Sequence, residues 1–147
     1  MAIYYDQQKK IFQLDTYHTS YLIAIIDKEQ FLGHLYYGKK IRCGTGASYL
    51  LRLNEAPFVP SENEKDRSSF LDFFPMEYAG SGLGDYRESC ITVLSKEGHS
   101  AVSVTYSSYE IMEGKPVLEG LPATFCQKGD SDCQTLCLHC TDDSLGL

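Results

Sequence analysis

Apolar positions along this chain alternate with polar ones far more often than they recur at helical spacing. In Val102-Ser103-Val104-Thr105-Tyr106-Ser107 apolar residues alternate with hydroxyl-bearing ones, which on a pleated strand sends one set into a core and the other into water. Ile11-Phe12-Gln13-Leu14-Asp15 and Tyr21-Leu22-Ile23-Ala24-Ile25-Ile26 are short, rich in β-branched or aromatic residues and bounded by polar turns, the pattern of strands. Residues 31–37, 91–94 and 101–109 continue the series, and 118–121 and 135–138 predict two more strands near the end. Nowhere do apolar residues recur at i, i+3, i+4 and i+7 through three turns. Short strands at such intervals predict an all-β fold, an antiparallel β-sandwich.

Two stretches depart from this rhythm. Residues 44–72 hold Pro57, Pro60 and several charges with little alternation; connections this long are uncommon in compact domains and usually carry function. The second is Pro75-Met76-Glu77-Tyr78-Ala79-Gly80-Ser81-Gly82-Leu83-Gly84-Asp85-Tyr86-Arg87. Three glycines at alternate positions imply backbone that turns sharply or lies close against another group, since glycine alone takes positive φ without steric cost. Glu77, Asp85 and Arg87 stand close enough in sequence to pin that turn with charge-assisted hydrogen bonds.

This glycine block, with Glu77, Tyr78, Gly82, Gly84, Asp85 and Arg87, resembles the Glu-Tyr … Gly-x-Gly-Asp-(Phe/Tyr)-Arg block in the N-terminal domain of glycoside hydrolase family 36 α-galactosidases. Leu32-Gly33-His34-Leu35-Tyr36-Tyr37-Gly38-Lys39-Lys40 is similar to the family's strand and turn, with Tyr37 where many relatives carry Trp. Asp66-Arg67-Ser68-Ser69-Phe70-Leu71-Asp72 and Gly114-Lys115-Pro116-Val117-Leu118-Glu119-Gly120-Leu121-Pro122-Ala123-Thr124 match two further blocks. The order holds from about residue 3 to the end.

The resemblance implies that residues 1–147 form part of a non-catalytic β-supersandwich. It also implies a downstream (β/α)₈ barrel that carries two catalytic aspartates and hydrolyses terminal α-galactosides such as melibiose and raffinose with retention. A barrel of about 250 residues cannot fit in 147 residues, so the chain reads as an incomplete N-terminal domain with no catalytic residue of its own. In tetrameric family members this domain reaches the active site of a neighbouring subunit. The residues so implied are Arg67 and Asn54, the latter standing where relatives usually have Asp. Scaffolding, homo-oligomerisation and a loop lent in trans are the implied roles.

Composition narrows the rivals. Net charge is −7, and the scattered Lys and Arg form no basic stripe, so a nucleic-acid partner is not expected. No apolar run approaches the 18 or so residues of a membrane helix, and no basic region followed by an apolar stretch opens the chain; the expectation is a cytoplasmic protein without membrane contact. Six cysteines, Cys43, Cys90, Cys126, Cys133, Cys137 and Cys140, raise a metal or redox reading. Yet Cys137-Leu138-His139-Cys140 alternates as a strand would, which turns its two thiols to opposite faces. No metal or other cofactor is expected, and the cysteines read as reduced, partly buried small hydrophobes. A hairpin disulfide between Cys126 and Cys133 stays open if the chain is oxidised. Glu77 and Asp85 as a glycosidase pair and Gly80-Ser81-Gly82 as a nucleophile elbow both read better as structure. The alternative from another class is a stand-alone carbohydrate-binding module, with Tyr36, Tyr37, Tyr49, Tyr78 and Tyr86 as stacking rings. Zero Trp weakens it, because tryptophan offers the largest stacking surface.

Overall fold

The computed structural model describes residues 2–26, 30–42, 75–82, 86–122 and 133–147. Among them every regular element is a strand: β1 (Ala2–Asp6), β2 (Ile11–Asp15), β3 (Thr19–Ile25), β4 (Leu32–Lys39), β5 (Thr105–Glu113) and β6 (Gln134–Thr141). The first four form an antiparallel meander in the order β1-β2-β3-β4, and β5 pairs antiparallel with β6. This is the all-β antiparallel class that the alternation predicts.

The two sheets meet through aromatic rings. Phe12, fully buried, stacks on Tyr5 at 4.3 Å between centroids and meets the edge of Tyr109 at 5.1 Å. Ile23, Ile25 and Leu32 complete the buried cluster, and Leu136, Leu138 and Cys140 pack on it from β6. Even-numbered residues of β6 therefore face the core, which leaves Cys137 on the other side, as strand geometry demands. In β5 the register slips between Tyr106 and Ser108. That bulge lets Tyr106 and Tyr109, three residues apart, both face inward.

Strand expectations differ from the structure in four places; one is the span 101–109, of which only 105–109 lie in β5 (Thr105–Glu113). Residues 2–6, not among the strands expected from the sequence, form β1, held by the Tyr5–Phe12 stack and by Ile3 N–H donating to Gln134 Oε1 at 3.0 Å. Residues 91–94 form no strand, because no described backbone pairs with 92–94. Residues 118–121 form a turn closed by Leu121 N–H to Leu118 O at 3.3 Å, with Gly120 at φ +75°.

Asp142 ends β6 as a buried carboxylate. It accepts from Ser144 Oγ at 2.6 Å, Ser144 N–H at 3.0 Å and Ser103 N–H at 2.7 Å. The Ser144 hydroxyl, helped by the backbone donors, outweighs burial and holds this carboxyl below the usual carboxylate range. A folded-state value below the unfolded one of about 3.9 gives stability that is present above that pH and is lost as pH falls through the folded value. Asp142→Asn would turn an amide N–H₂ toward at least one donor, so urea unfolding at pH 7 is expected to show a loss of about 1.5–3 kcal/mol. The gap between variant and wild type should shrink when both are measured below about pH 4, where the unfolded carboxyl is protonated.

Candidate functional site

Residues 43–74, which contain the whole of the long stretch 44–72 that the sequence marks out, lie outside the described residues. So do Arg67, Asn54, Gly84, Asp85, Tyr49, Cys43 and Cys126. The described chain shows how the residues that flank this segment are fastened.

The leading end leaves β4 over a polar cluster on the sheet face away from Phe12. Ser20, Gln13 and Asp15 are all buried there. Ser20 Oγ donates to Asp15 Oδ1 at 2.6 Å, and Gln13 Nε2 donates to the same oxygen at 2.9 Å. Ile41 is tied in by both its backbone groups: its N–H donates to Ser20 Oγ at 3.1 Å and its carbonyl accepts from Gln13 Nε2 at 3.2 Å. The Lys40 ammonium stands 3.9 Å from Asp15 Oδ2, close enough to offset the buried charge.

The trailing end anneals to β4. His34 N–H donates to Pro75 O at 2.6 Å, Glu77 N–H donates to Leu32 O at 3.0 Å, and Met76 bridges Gly33. Proline suits the first position of such an added edge, since it has no N–H to leave unpaired. Glu77 locks the contact. Its Oε2 accepts from Tyr21 Oη at 2.5 Å and its Oε1 lies 3.2 Å from His34 Nδ1. Burial first, then the hydrogen bond to Glu77 and its charge, push the Tyr21 phenol well above its ordinary range, so Tyr21 stays a donor at neutral pH. The sequence suggests Arg87 as the partner of Glu77 across the turn; the structure gives Glu77 two other partners, 43 and 56 residues upstream. Gly82 and Arg87 are exposed.

Register explains the cluster. A slip between Leu22 and Ile23 sets Tyr21 opposite Tyr37 and Ile23 opposite His34. His34 and Tyr37, three apart in sequence, thereby share a face with Tyr21, whose ring lies 5.0 Å from His34 and 5.9 Å from Tyr37.

Beyond Glu77 the glycine block runs beside residues 101–102. Val102 N–H donates to Ser81 O at 2.8 Å. A Cβ on Gly80 would stand 2.7 Å from Val102 O, and Gly82, at φ +86°, would bring one within 3.0 Å of Ala101. Both reasons for glycine, close approach and a left-handed backbone, apply here. Tyr78 turns into the core and donates to Val104 O at 2.7 Å; burial raises its phenol far above the ordinary value.

Of the tyrosines read as stacking rings, Tyr78 is in the core and Tyr36 folds back to donate to Lys39 O at 2.8 Å. Tyr37 and Tyr86 are open, at 68% and 86% exposure. Burial pushes the Cys140 thiol up, away from reactive thiolate character. No group of three or more His, Cys, Asp or Glu able to hold a metal ion occurs among the described residues. Asp15, Ser20 and Asp142 are anchors that sequence reasoning misses. Asp142 alone has a local signal, the Asp-x-Ser spacing of a side-chain-capped turn.

Comparison with known proteins places this arrangement. The profile of the glycosyl hydrolase family 36 N-terminal domain matches residues 30–147, and the chain belongs to that family. It is 36% identical over 146 residues to the bifunctional alpha-galactosidase/sucrose kinase AgaSK of Mediterraneibacter gnavus, covering 98% of this chain and 15% of that protein. It is 33% identical to alpha-galactosidase AgaA of Geobacillus stearothermophilus, covering 100% of this chain and 20% of that one. Among solved structures, the galactosidase domain of AgaSK superposes with a TM-score of 0.82 at 34% identity, over 98% of this chain and 20% of that one. The family 36 α-galactosidase AgaB of Geobacillus stearothermophilus gives 0.82 at 33%, over 97% and 19%. The chain thus spans one-fifth or less of the length of these relatives.

Proposed function

We propose that this chain serves as the non-catalytic N-terminal domain of a retaining α-galactosidase. In this reading a (β/α)₈ barrel elsewhere in the full polypeptide supplies both catalytic carboxylates and acts in the cytoplasm on terminal α-galactosides. The β-domain scaffolds that barrel, contributes to a homo-oligomer, and lends the segment 44–72 to a neighbouring subunit's pocket. Arg67 is the principal contact and Asn54 a lesser one.

The observation that carries the proposal is the anchoring of the residues that flank segment 44–72 on both sides. Ile41 is clamped at one end by Ser20 and Gln13, and Glu77 at the other by Tyr21 and His34. A segment that must present a side chain to another subunit gains precision when its ends are fixed to rigid strands. Both carboxylate oxygens of Glu77 are engaged in that clamp, which suits structure better than proton transfer. The relatives' names supply the substrate class.

A second reading, a stand-alone carbohydrate-binding module, is favoured by one observation. The open Tyr37 ring lies on the same face as His34 and Glu77, and pyranose faces stack on such rings. The DNA beyond codon 147 separates the two readings. A continuing frame that encodes a barrel with aspartates at strand ends supports the first, and a stop codon supports the second.

A further inference from the structure

We infer that the outer edge of β6 is the seat of a further strand, supplied by the polypeptide that follows Leu147 in the full-length protein and running antiparallel to β6. The inference rests on the proposed reading, in which this chain is one part of a longer enzyme. Hydrogen-bond parity identifies the edge. In an antiparallel ladder, residues that turn both backbone groups toward a neighbour alternate with residues that turn both away from it. Cys133 O accepts from Gly114 N–H at 2.7 Å, and Thr141 O accepts from Thr105 Oγ1 at 3.4 Å. The extra residue of the bulge, at 107, lies on β5, so the odd-numbered residues of β6 bond to β5 throughout. Leu136, Leu138 and Cys140 turn the other way, where they meet no backbone partner among the described residues. Their side chains face the core yet are only half-buried, as core positions are when no strand lies along their edge.

The chain is already turned onto this edge. Asp142 N–H donates to Leu147 O and Leu147 N–H donates to Asp142 O, both at 3.1 Å. This mutual exchange is a hydrogen-bonded antiparallel pair. The four-residue loop Asp143-Ser144-Leu145-Gly146 closes it, with Leu145 N–H bonded to Asp142 O at 3.2 Å and Gly146 at φ +67°, the form of a hairpin connection. Ser144 stiffens the loop through both its bonds to Asp142 Oδ1. Continuing the register sets the second residue after Leu147 opposite Cys140, the fourth opposite Leu138 and the sixth opposite Leu136. Directly opposite residues share a face, so these three are expected to be apolar. At the far end Ile3 N–H reaches the Gln134 side chain at 3.0 Å, and β1 bounds the seat there.

Hydrogen exchange resolved to single amides tests this in two settings. In the first, the 147-residue chain carries the tail Thr-Val-Thr-Val-Thr-Val after Leu147 and is compared with the same chain carrying Gly-Ser-Gly-Ser-Gly-Ser. The strand-forming tail should slow exchange at Leu136, Leu138 and Cys140 by about 100-fold or more relative to the flexible one. Thr135, Cys137 and His139, bonded to β5 in both, should not change. In the second, the full-length enzyme, the same three amides should be as protected as their odd-numbered neighbours. Equal exchange with the two tails would overturn the seat. So would rapid exchange at the three amides of the full-length enzyme. A stop codon directly after codon 147 would instead remove the reading on which the occupant rests, and the two tails would still decide whether the edge accepts a strand.

Discussion

Replacing Phe12 with alanine is expected to cost the domain about 3–5 kcal/mol, the range for deleting a large buried aromatic. Phe12 has no exposed surface, and rings from three other strand positions surround it. It stacks on Tyr5 from β1 and meets Tyr106 and Tyr109 from β5, at centroid distances of 6.3 and 5.1 Å. Rings of fixed shape cannot close over the void, so little of the loss is recovered by relaxation. Domains are stable by only about 5–15 kcal/mol, so the variant should unfold at much lower urea or arrive partly unfolded. Leu14→Ala, at a half-buried position on the margin of the same cluster, provides the comparison and should cost less. A loss under about 1 kcal/mol for Phe12→Ala would mean that the β5–β6 pair does not pack on the four-stranded sheet.

The second large effect follows from the proposed role of Arg67 in segment 44–72. In the full-length oligomeric enzyme, Arg67→Ala should lower kcat/KM for an α-galactoside by about 10- to 150-fold, the equivalent of one charged hydrogen bond of about 1.5–3 kcal/mol. A guanidinium can hold two sugar hydroxyls at once or orient a pocket carboxylate, and lysine at the same place would recover only part of that. If Arg67 instead made a surface ion pair, the change would be about 1 kcal/mol or less. Steady-state kinetics on a preparation shown to keep its oligomeric state decides between them. Near-wild-type values would remove the cross-subunit role.

Elements whose signal is local are legible in the sequence alone. The alternation from Val102 to Tyr106 predicts an inward face, and both Val102 and Val104 are buried. Gly80 and Gly82 mark a close backbone approach that exists against Ala101 and Val102. The strand character of residues 135–138 correctly splits Cys137 from Cys140, since Cys140 packs with Leu136 and Leu138.

What stays hidden depends on register. The slips at Leu22/Ile23 and Tyr106/Ser108 reverse which residues face the core, and a one-residue change of parity leaves no trace in composition. That Glu77 holds its segment is legible from its place in the glycine block. Its partners Tyr21 and His34 are not, because only the β3–β4 register brings them together. Ser20 and Asp15 look like ordinary turn-flanking polar residues until the chain after β4 settles on them. Residues 91–94 illustrate the opposite failure: strand-forming side chains do not make a strand without a second edge to bond.

On the proposed function, the 147-residue chain is a supporting domain with no hydrolytic chemistry of its own. Incubating the purified chain with a nitrophenyl α-galactoside and following released nitrophenol tests it most directly. The account predicts no turnover above the uncatalysed rate at any enzyme concentration. Turnover that scales with the chain, and that disappears in Glu77→Gln or Asp85→Asn, would contradict it by making one of these carboxylates a catalyst.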